Sequence, residues 1–371
     1  MKIRHLYMLL WLTAALAIPL SSQAVEVSGL YGAETAVTGQ GRAERRSTAR
    51  QLLQEVVLKV SGDPSVASAK QLKPLYKKAS RLIQQYRYDP LPENDPLLTN
   101  SDSAPSPFTH LLHIDFDAAA IDAAILAAGF HIWGQQRPET LVWLAVDEGQ
   151  SRHLVTNADS PWRLTLEAYA KKRGMPLIFP LLDLKDQSRA SFATIWGSFR
   201  QDIFSASLRY NATATLVGRL HRTPSGLWQA RWTLYQGHAE QDIAWSRTDR
   251  SWQALLGAGV DNTANILASR YAQVLDSEDH QLTLSVSEVT SIDDYARVLR
   301  YLSQLGSVAQ TQINYVDSSH VVFNLTTRSN PIGLKRVISL GRTLAPPLSA
   351  YTDDMEPSAD IKADLRYRLL P

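Results

Sequence analysis

The sequence predicts an α+β and α/β protein: a central mixed-sheet α/β module, flanked by an N-terminal α+β unit and a C-terminal ferredoxin-like β-α-β-β-α unit. Three observations carry this expectation. Residues 206–234, ASLRYNATATLVGRLHRTPSGLWQARWTL, hold an apolar run, a Thr-Pro-Ser-Gly turn and a strictly alternating run. Trp228, Ala230, Trp232 and Leu234 fall on one side of the alternation, and Gln229, Arg231, Thr233 and Tyr235 on the other. A period of two across a Pro–Gly turn is a hairpin signal. Upstream, LVWLAV at 141–146 reads as a strand buried on both faces, and a helical stretch separates it from PLIFPLLDL at 176–184. That strand–helix–strand order predicts a parallel neighbour. Downstream, residues 281–345 repeat strand, helix, strand, strand, helix.

The first 24 residues read as a secretory signal peptide. Lys2 and Arg4 form a basic start, residues 7–20 an apolar stretch, and Ser22-Gln23-Ala24 a small-x-small site, with cleavage expected after Ala24. No later run reaches a membrane-spanning length, so no membrane span is expected after cleavage. Loss of Lys2 and Arg4 takes the formal charge from +2 to zero. No block of five basic residues appears, which argues against nucleic acid as a partner. There are no cysteines. Disulfides, a lipoprotein anchor, a thiol nucleophile and thiolate metal sites are therefore excluded.

Residues 25–138 are expected to form the N-terminal unit. A strand covers 30–37, and the lone glycine pair Gly39 and Gly41 is a turn, too little for a phosphate loop. Apolar positions Leu52, Leu53, Val56, Val57 and Val60 give a helix over 48–60, ended by Ser61-Gly62. A second helix is predicted over 67–84, kinked or started late by Pro74. Residues 89–107, DPLPENDPLLTNSDSAPSP, read as a linker. A strand at 111–116 puts Leu112, Ile114 and Phe116 inward. Asp117 then caps a helix over 118–128, and a short strand at 130–133 precedes a turn at 133–138. His110, His113, Asp115 and Asp117 have metal-ligand chemistry, but an N-cap and a wet strand face account for them, and no metal or cofactor is expected.

The central module spans 139–277. It continues with helices at 162–173 and 199–209, a third strand at 242–248, and a helix over 252–274 weakened at Gly257-Ala258-Gly259. The last unit, 278–345, has Ser291 and Asp294 as a capping box. Residues 346–371 read as a poorly ordered tail.

No G-x-S-x-G, H-E-x-x-H, S-x-x-K or phosphate-loop pattern occurs. Candidate ligand- or partner-binding residues are Asp183, Asp186, Arg209, Tyr210, Trp228 and Trp232; no catalytic residue is assigned. Asp183 and Asp186 follow the carboxyl end of a parallel-type strand, where ligands bind, or they cap a turn. Arg209 beside them is an anion clamp or an ion-pair partner. Trp228 and Trp232 share a strand face, either packed on a helix or kept for a partner.

VSG at 60–62, WGQQRP at 133–138, VWLAVD at 142–147, PLLDLKD at 180–186, and ASLRY with LVGRL between 206 and 220 together resemble domain-of-unknown-function family 2066. That family consists of exported Gram-negative proteins with no assigned activity. The element order over 141–275 is also similar, at the level of fold, to the module of TolB's N-terminal domain and of the curli secretion lipoprotein CsgG. That likeness implies work by protein contacts in envelope assemblies. The expectation is a non-enzymatic periplasmic accessory protein that binds an envelope protein partner. A small-ligand or glycan-binding protein is the alternative, and a carboxylate-dependent hydrolase the second alternative.

Overall fold

The computed structural model describes residues 24–91, 107–236, 242–271, 279–305, 307–318, 320–327, 329–341, 343–347 and 363–371. The expected signal peptide up to residue 23, the linker from 92 to 106 and the tail from 348 to 362 lie outside the described residues.

The chain opens with β1 (Ala24–Glu26) and β2 (Gly32–Val37), followed by α1 (Arg42–Ser61), which starts six residues ahead of the predicted helix over 48–60. Leu52, Leu53, Val56, Val57 and Val60 are fully buried, as the helical spacing requires. Gly62 ends α1 in the left-handed conformation, φ 71°. A Cβ there would also sit 2.9 Å from the Trp133 ring, so the position is closed to side chains twice over.

The helix predicted over 67–84 does not form as one element. It breaks into α2 (Pro64–Ala67), a 3-10 turn at Lys70–Leu72, α3 (Lys73–Lys77) and another 3-10 turn at Ala79–Arg81. Pro64 and Pro74 each stand in a first helical turn, where a missing N–H is harmless. Ile83, expected in that helix, instead begins β3 (Ile83–Pro90), which takes Asp89 and Pro90 from the expected linker. It pairs antiparallel with β4 (His110–Phe116), and tertiary pairing overrides local propensity. The sheet order is β2-β4-β3, leaving β2 as an outer strand. Leu112, Ile114 and Phe116 of β4 point into the core with α1. Asp117 caps α4 (Ala118–Ala127), accepting from the Ala120 N–H at 3.1 Å. The strand expected at 130–133 is reduced to a single bridge residue, Ile132, in otherwise irregular chain. The expected turn at 133–138 instead contains β5 (Gln136–Pro138), which pairs with β1.

β6 (Thr140–Asp147) is the centre of the molecule, with Leu141 to Val146 all 0–1% exposed. β7 (Arg152–Leu154) folds back on it; α5 (Pro161–Arg173) ends at Gly174, φ 60°. Only Leu177–Ile178 of PLIFPLLDL joins the sheet, as β8, parallel to β6. The chain then makes three short helices, two of them unforeseen: α6 (Leu184–Gln187), α7 (Phe192–Gly197) and α8 (Arg200–Ser207). β9 (Ala214–Arg222) runs parallel to β6 and forms the anticipated hairpin with β10 (Trp228–Tyr235), while β11 (Ile243–Asp249) completes the order β11-β10-β9-β6-β7.

α9 (Trp252–Tyr271) is continuous through Gly257 and Gly259. The expected weak point is a pair of notches: a Cβ at Gly259 would lie 2.5 Å from the Trp232 ring, and one at Gly257 2.5 Å from Tyr169. The helix loses propensity and gains close approach to the sheet. α5 and α9 cover one face of β6 through Val142, Leu144 and Val146; the segment carrying α7 and α8 covers the other through Leu141, Trp143 and Ala145.

The last unit comprises β12 (His280–Ser287), α10 (Ile292–Gln304), β13 (Val308–Val316), β14 (His320–Thr327) and α11 (Pro331–Ile338), in the predicted β-α-β-β-α order. β15 (Leu344–Ala345) follows. The tail expected to be poorly ordered contributes β16 (Leu365–Leu369), parallel to β12 and wedged between it and β15. Leu365, Tyr367 and Leu369 are buried, so one apolar face of the tail seals the core around Leu284 and Phe323.

Candidate functional site

Asp183, Asp186, Arg209 and Tyr210 come together as the sequence suggested. Asp183 is the N-cap of α6 and accepts from the Asp186 N–H at 3.0 Å. Arg209 and Tyr210 lie on a 3-10 turn after α8, stopped by Asn211 at φ 50°. The Arg209 fork grips both oxygens of Asp183, at 2.7 and 2.9 Å, and donates to Asp186 Oδ1 at 2.9 Å. Tyr210 donates its hydroxyl proton to Asp186 Oδ2, which also accepts from the Leu182 N–H at 3.0 Å. The Leu181 N–H returns to the Tyr210 oxygen at 2.8 Å. Leu182 is held at φ 48°, a left-handed conformation unusual for leucine and maintained by these bonds.

The electrostatics follow from that closure. Arg209 hydrogen bonding holds the Asp183 carboxyl down at about 2, and the same contact raises Arg209. Burial first, then Asp186, pushes the Tyr210 hydroxyl up to about 12. All four carboxylate oxygens have partners and Asp186 is 1% exposed. The arrangement is a clamp that staples the α6 loop to the end of α8. Around it the surface is unusually apolar: Leu181 is 70% exposed, Leu184 85%, Phe204 45% and Leu208 60%.

Trp228 and Trp232 are not part of this cluster, because they face α5 and α9 on the opposite side of the sheet. Trp232 is 2% exposed and fills the Gly259 notch, which corrects its candidacy as a partner-binding residue. Trp228 is half-buried and packs edge-on against Trp162, with ring centres 5.5 Å apart.

A second polar region, at the junction of the N-terminal unit with α5, escaped the sequence reading. A cleft of about 570 Å3 lies between the outer strand β2, α1 and the end of α5. Lys59 of α1 lines it, is 5% exposed, and donates to the Gly32 carbonyl at 2.6 Å. Glu34 binds His113 Nδ1 at 2.7 Å and pairs with Lys171, while His113 Nε2 reaches Asp89 at 2.9 Å. Of the metal-like set, then, His113 bridges two carboxylates, His110 meets the Thr109 hydroxyl, Asp115 accepts from Gln85 and Asp117 caps α4.

Behind the cleft sits Arg137, fully buried, whose five hydrogen bonds all end on backbone carbonyls: those of Gly134, Arg173, Gly174, Lys59 and Trp133. Its guanidinium lies 4.1 Å over the Trp133 ring. Arg173 beside it bonds the Gly62 carbonyl, Asn265 and Asp261. The carboxyl ends of α1 and α5 both point here, and their partial negative charge stabilises the two cations. Burial, then Arg173, brings Arg137 down to about 9, which leaves it charged at neutral pH. A sequence signal existed: Glu55 and Lys59 are an i, i+4 pair on the flank of an otherwise apolar helix face.

A family model described as "Domain of unknown function (DUF8605)" matches residues 24–134, from β1 to just past Trp133. No curated protein gives a match. The matched stretch supplies Lys59, Glu34 and His113 but stops short of Arg137 and the Asp183–Tyr210 clamp.

Proposed function

We propose that this protein is an exported, non-catalytic accessory factor of the cell envelope that binds a protein partner through the α6–α8 surface. The observation that carries this reading is the exposure of Leu181, Leu184, Phe204 and Leu208 around a clamp that is already satisfied internally. Exposed apolar side chains set on a rigid frame, with arginine and tyrosine among them, match the composition of interface cores. The frame matters because a fixed loop loses little entropy on docking. Among the described residues, no helix is long and apolar enough to cross a membrane. The signal-peptide pattern, the resemblance to family 2066 and the TolB-like element order support the periplasm as the setting.

Site-specific photocrosslinking in intact cells tests the proposal. A crosslinker at Leu184 or Leu208 is expected to give a repeatable adduct with one envelope protein, lost when Phe204→Asp is added. The same group at Ile292, 82% exposed on the C-terminal unit, should not give it. Identical adducts from all three positions, or none from Leu184 and Leu208, would overturn the reading.

A further inference from the structure

The junction cleft holds a cation that the fold leaves short of partners. Lys59 is buried to 5% exposure, yet among the described residues its ammonium has one hydrogen-bond acceptor, the Gly32 carbonyl. Three N–H donors and a full charge at that depth call for an anion. The nearby carboxylates attract it through space, but among the described residues neither bonds it: Glu34 is engaged by His113 and Lys171, and no hydrogen bond or ion pair joins Glu55 to the ammonium. The lining also includes a mouth carrying Lys172 and Arg87, the Asp115 carboxylate, which already accepts from Gln85, and a wall of Leu30, Leu111 and Met175. One side of the cleft is β2 from Gly32 to Ala36, the outer strand of its sheet.

We infer that this cleft binds a ligand with one carboxylate and a short apolar body, the carboxylate seated on Lys59 and the body lying along β2. The volume suits a small molecule or the last few residues of a peptide. A monoanion fits better than a phosphate. One ammonium stands at the floor, and the carboxyl ends of α1 and α5, with their negative partial charge, converge behind it. Beyond Gly32, whose N–H and carbonyl are already bonded, the outer strand offers an extended chain the outward backbone groups that no other strand pairs among the described residues, so a peptide C-terminus and a free short acid share the required chemistry. This site is separate from the α6–α8 surface, and either can fail without the other.

Calorimetry on the full chain with three probes tests the inference: an acetylated Ala-Leu-Ala peptide with a free carboxyl end, the same peptide amidated, and hexanoate. At least one acid should bind, with the amide at least tenfold weaker. Binding of both acids would assign a short free acid as sufficient; binding of the peptide acid alone would assign a peptide C-terminus. Lys59→Met should abolish binding, and Lys172→Ala, on the exposed rim, should weaken it a fewfold. Charged groups around Lys59 are Glu55 on its own helix, Glu34 on β2, Arg137 on β5 and Lys171 on α5, and burial brings its ammonium down to about 8. Acid binding should therefore fade as pH rises from 7 to 9, when the ammonium loses its proton. Equal affinity for acid and amide, or no heat from either acid at millimolar concentration, overturns the inference in the wild-type chain, whatever the variants do. Unchanged binding in a folded Lys59→Met chain does so as well.

Discussion

Arg137→Met asks whether the buried guanidinium holds the N-terminal unit to the central module. Methionine keeps the apolar stem and its contact with Trp133 but strips five donors from five carbonyl oxygens. Hydrogen bonds from a charged group contribute about 1.5–3 kcal/mol each. Five would give more than about 7, but desolvating a guanidinium costs several kcal/mol. Relief of Arg173, whose charge is repelled by its neighbour, offsets a little more. The expected net loss is about 3–5 kcal/mol. Arg137→Lys keeps the charge but has only three donors and no fork, and should lose about 2 kcal/mol. Urea unfolding followed by tryptophan emission reads both variants, and Trp133 beneath the guanidinium reports the site directly. The methionine chain should also show its N-terminal core unfolding ahead of the central one, as two resolved transitions. A single transition shifted by less than about 1 kcal/mol would refute the reasoning, since the carbonyls would then be solvated without Arg137.

Two further outcomes follow from the packing and the clamp. Gly259→Ala should lose up to about 2 kcal/mol in thermal unfolding. Crowding Trp232 costs about 1–3, against about 1 gained in helix propensity, and a gain in stability would show the notch to be slack. For the clamp, the folded-state carboxyl of Asp183 lies below its unfolded value. The unfolded chain therefore binds the extra proton, and the stabilisation is present above pH 4 and lost as pH falls toward about 2. Melting temperatures from pH 5 to 2 should fall less steeply in Asp183→Asn than in the wild type; parallel slopes would deny the ion pair its role.

Much of the candidate clamp could be read in advance, since Asp183, Asp186, Arg209 and Tyr210 all lie within one α/β crossover. Their closure could not. Whether Arg209 faces an anion or the two aspartates depends on Leu182 adopting φ 48° and on a 3-10 turn after α8, neither of which has a local marker. The cleft was hidden for another reason. Lys59 looks like an ordinary helix-flank lysine until α5 is laid against α1, and Arg137 looks like a turn residue until two helix ends meet over it.

The sequence by itself determined what short-range chemistry controls. The alternation of β10, the uniform burial of β6, the Asp117 and Ser291 caps and the glycine stops at Gly62 and Gly174 all rest on contacts within a few residues. Tertiary structure alone decided the elements that need a distant partner. Residues 83–90 became a strand because β4 was there to pair with, and 365–369 because β12 had a free edge. Gly257 and Gly259, weak on helix propensity, became the close-packed centre of α9 because Tyr169 and Trp232 come from elsewhere in the chain. A strand ladder or a packing notch derives its free energy from residues far apart in sequence, and no local pattern encodes which ones will meet.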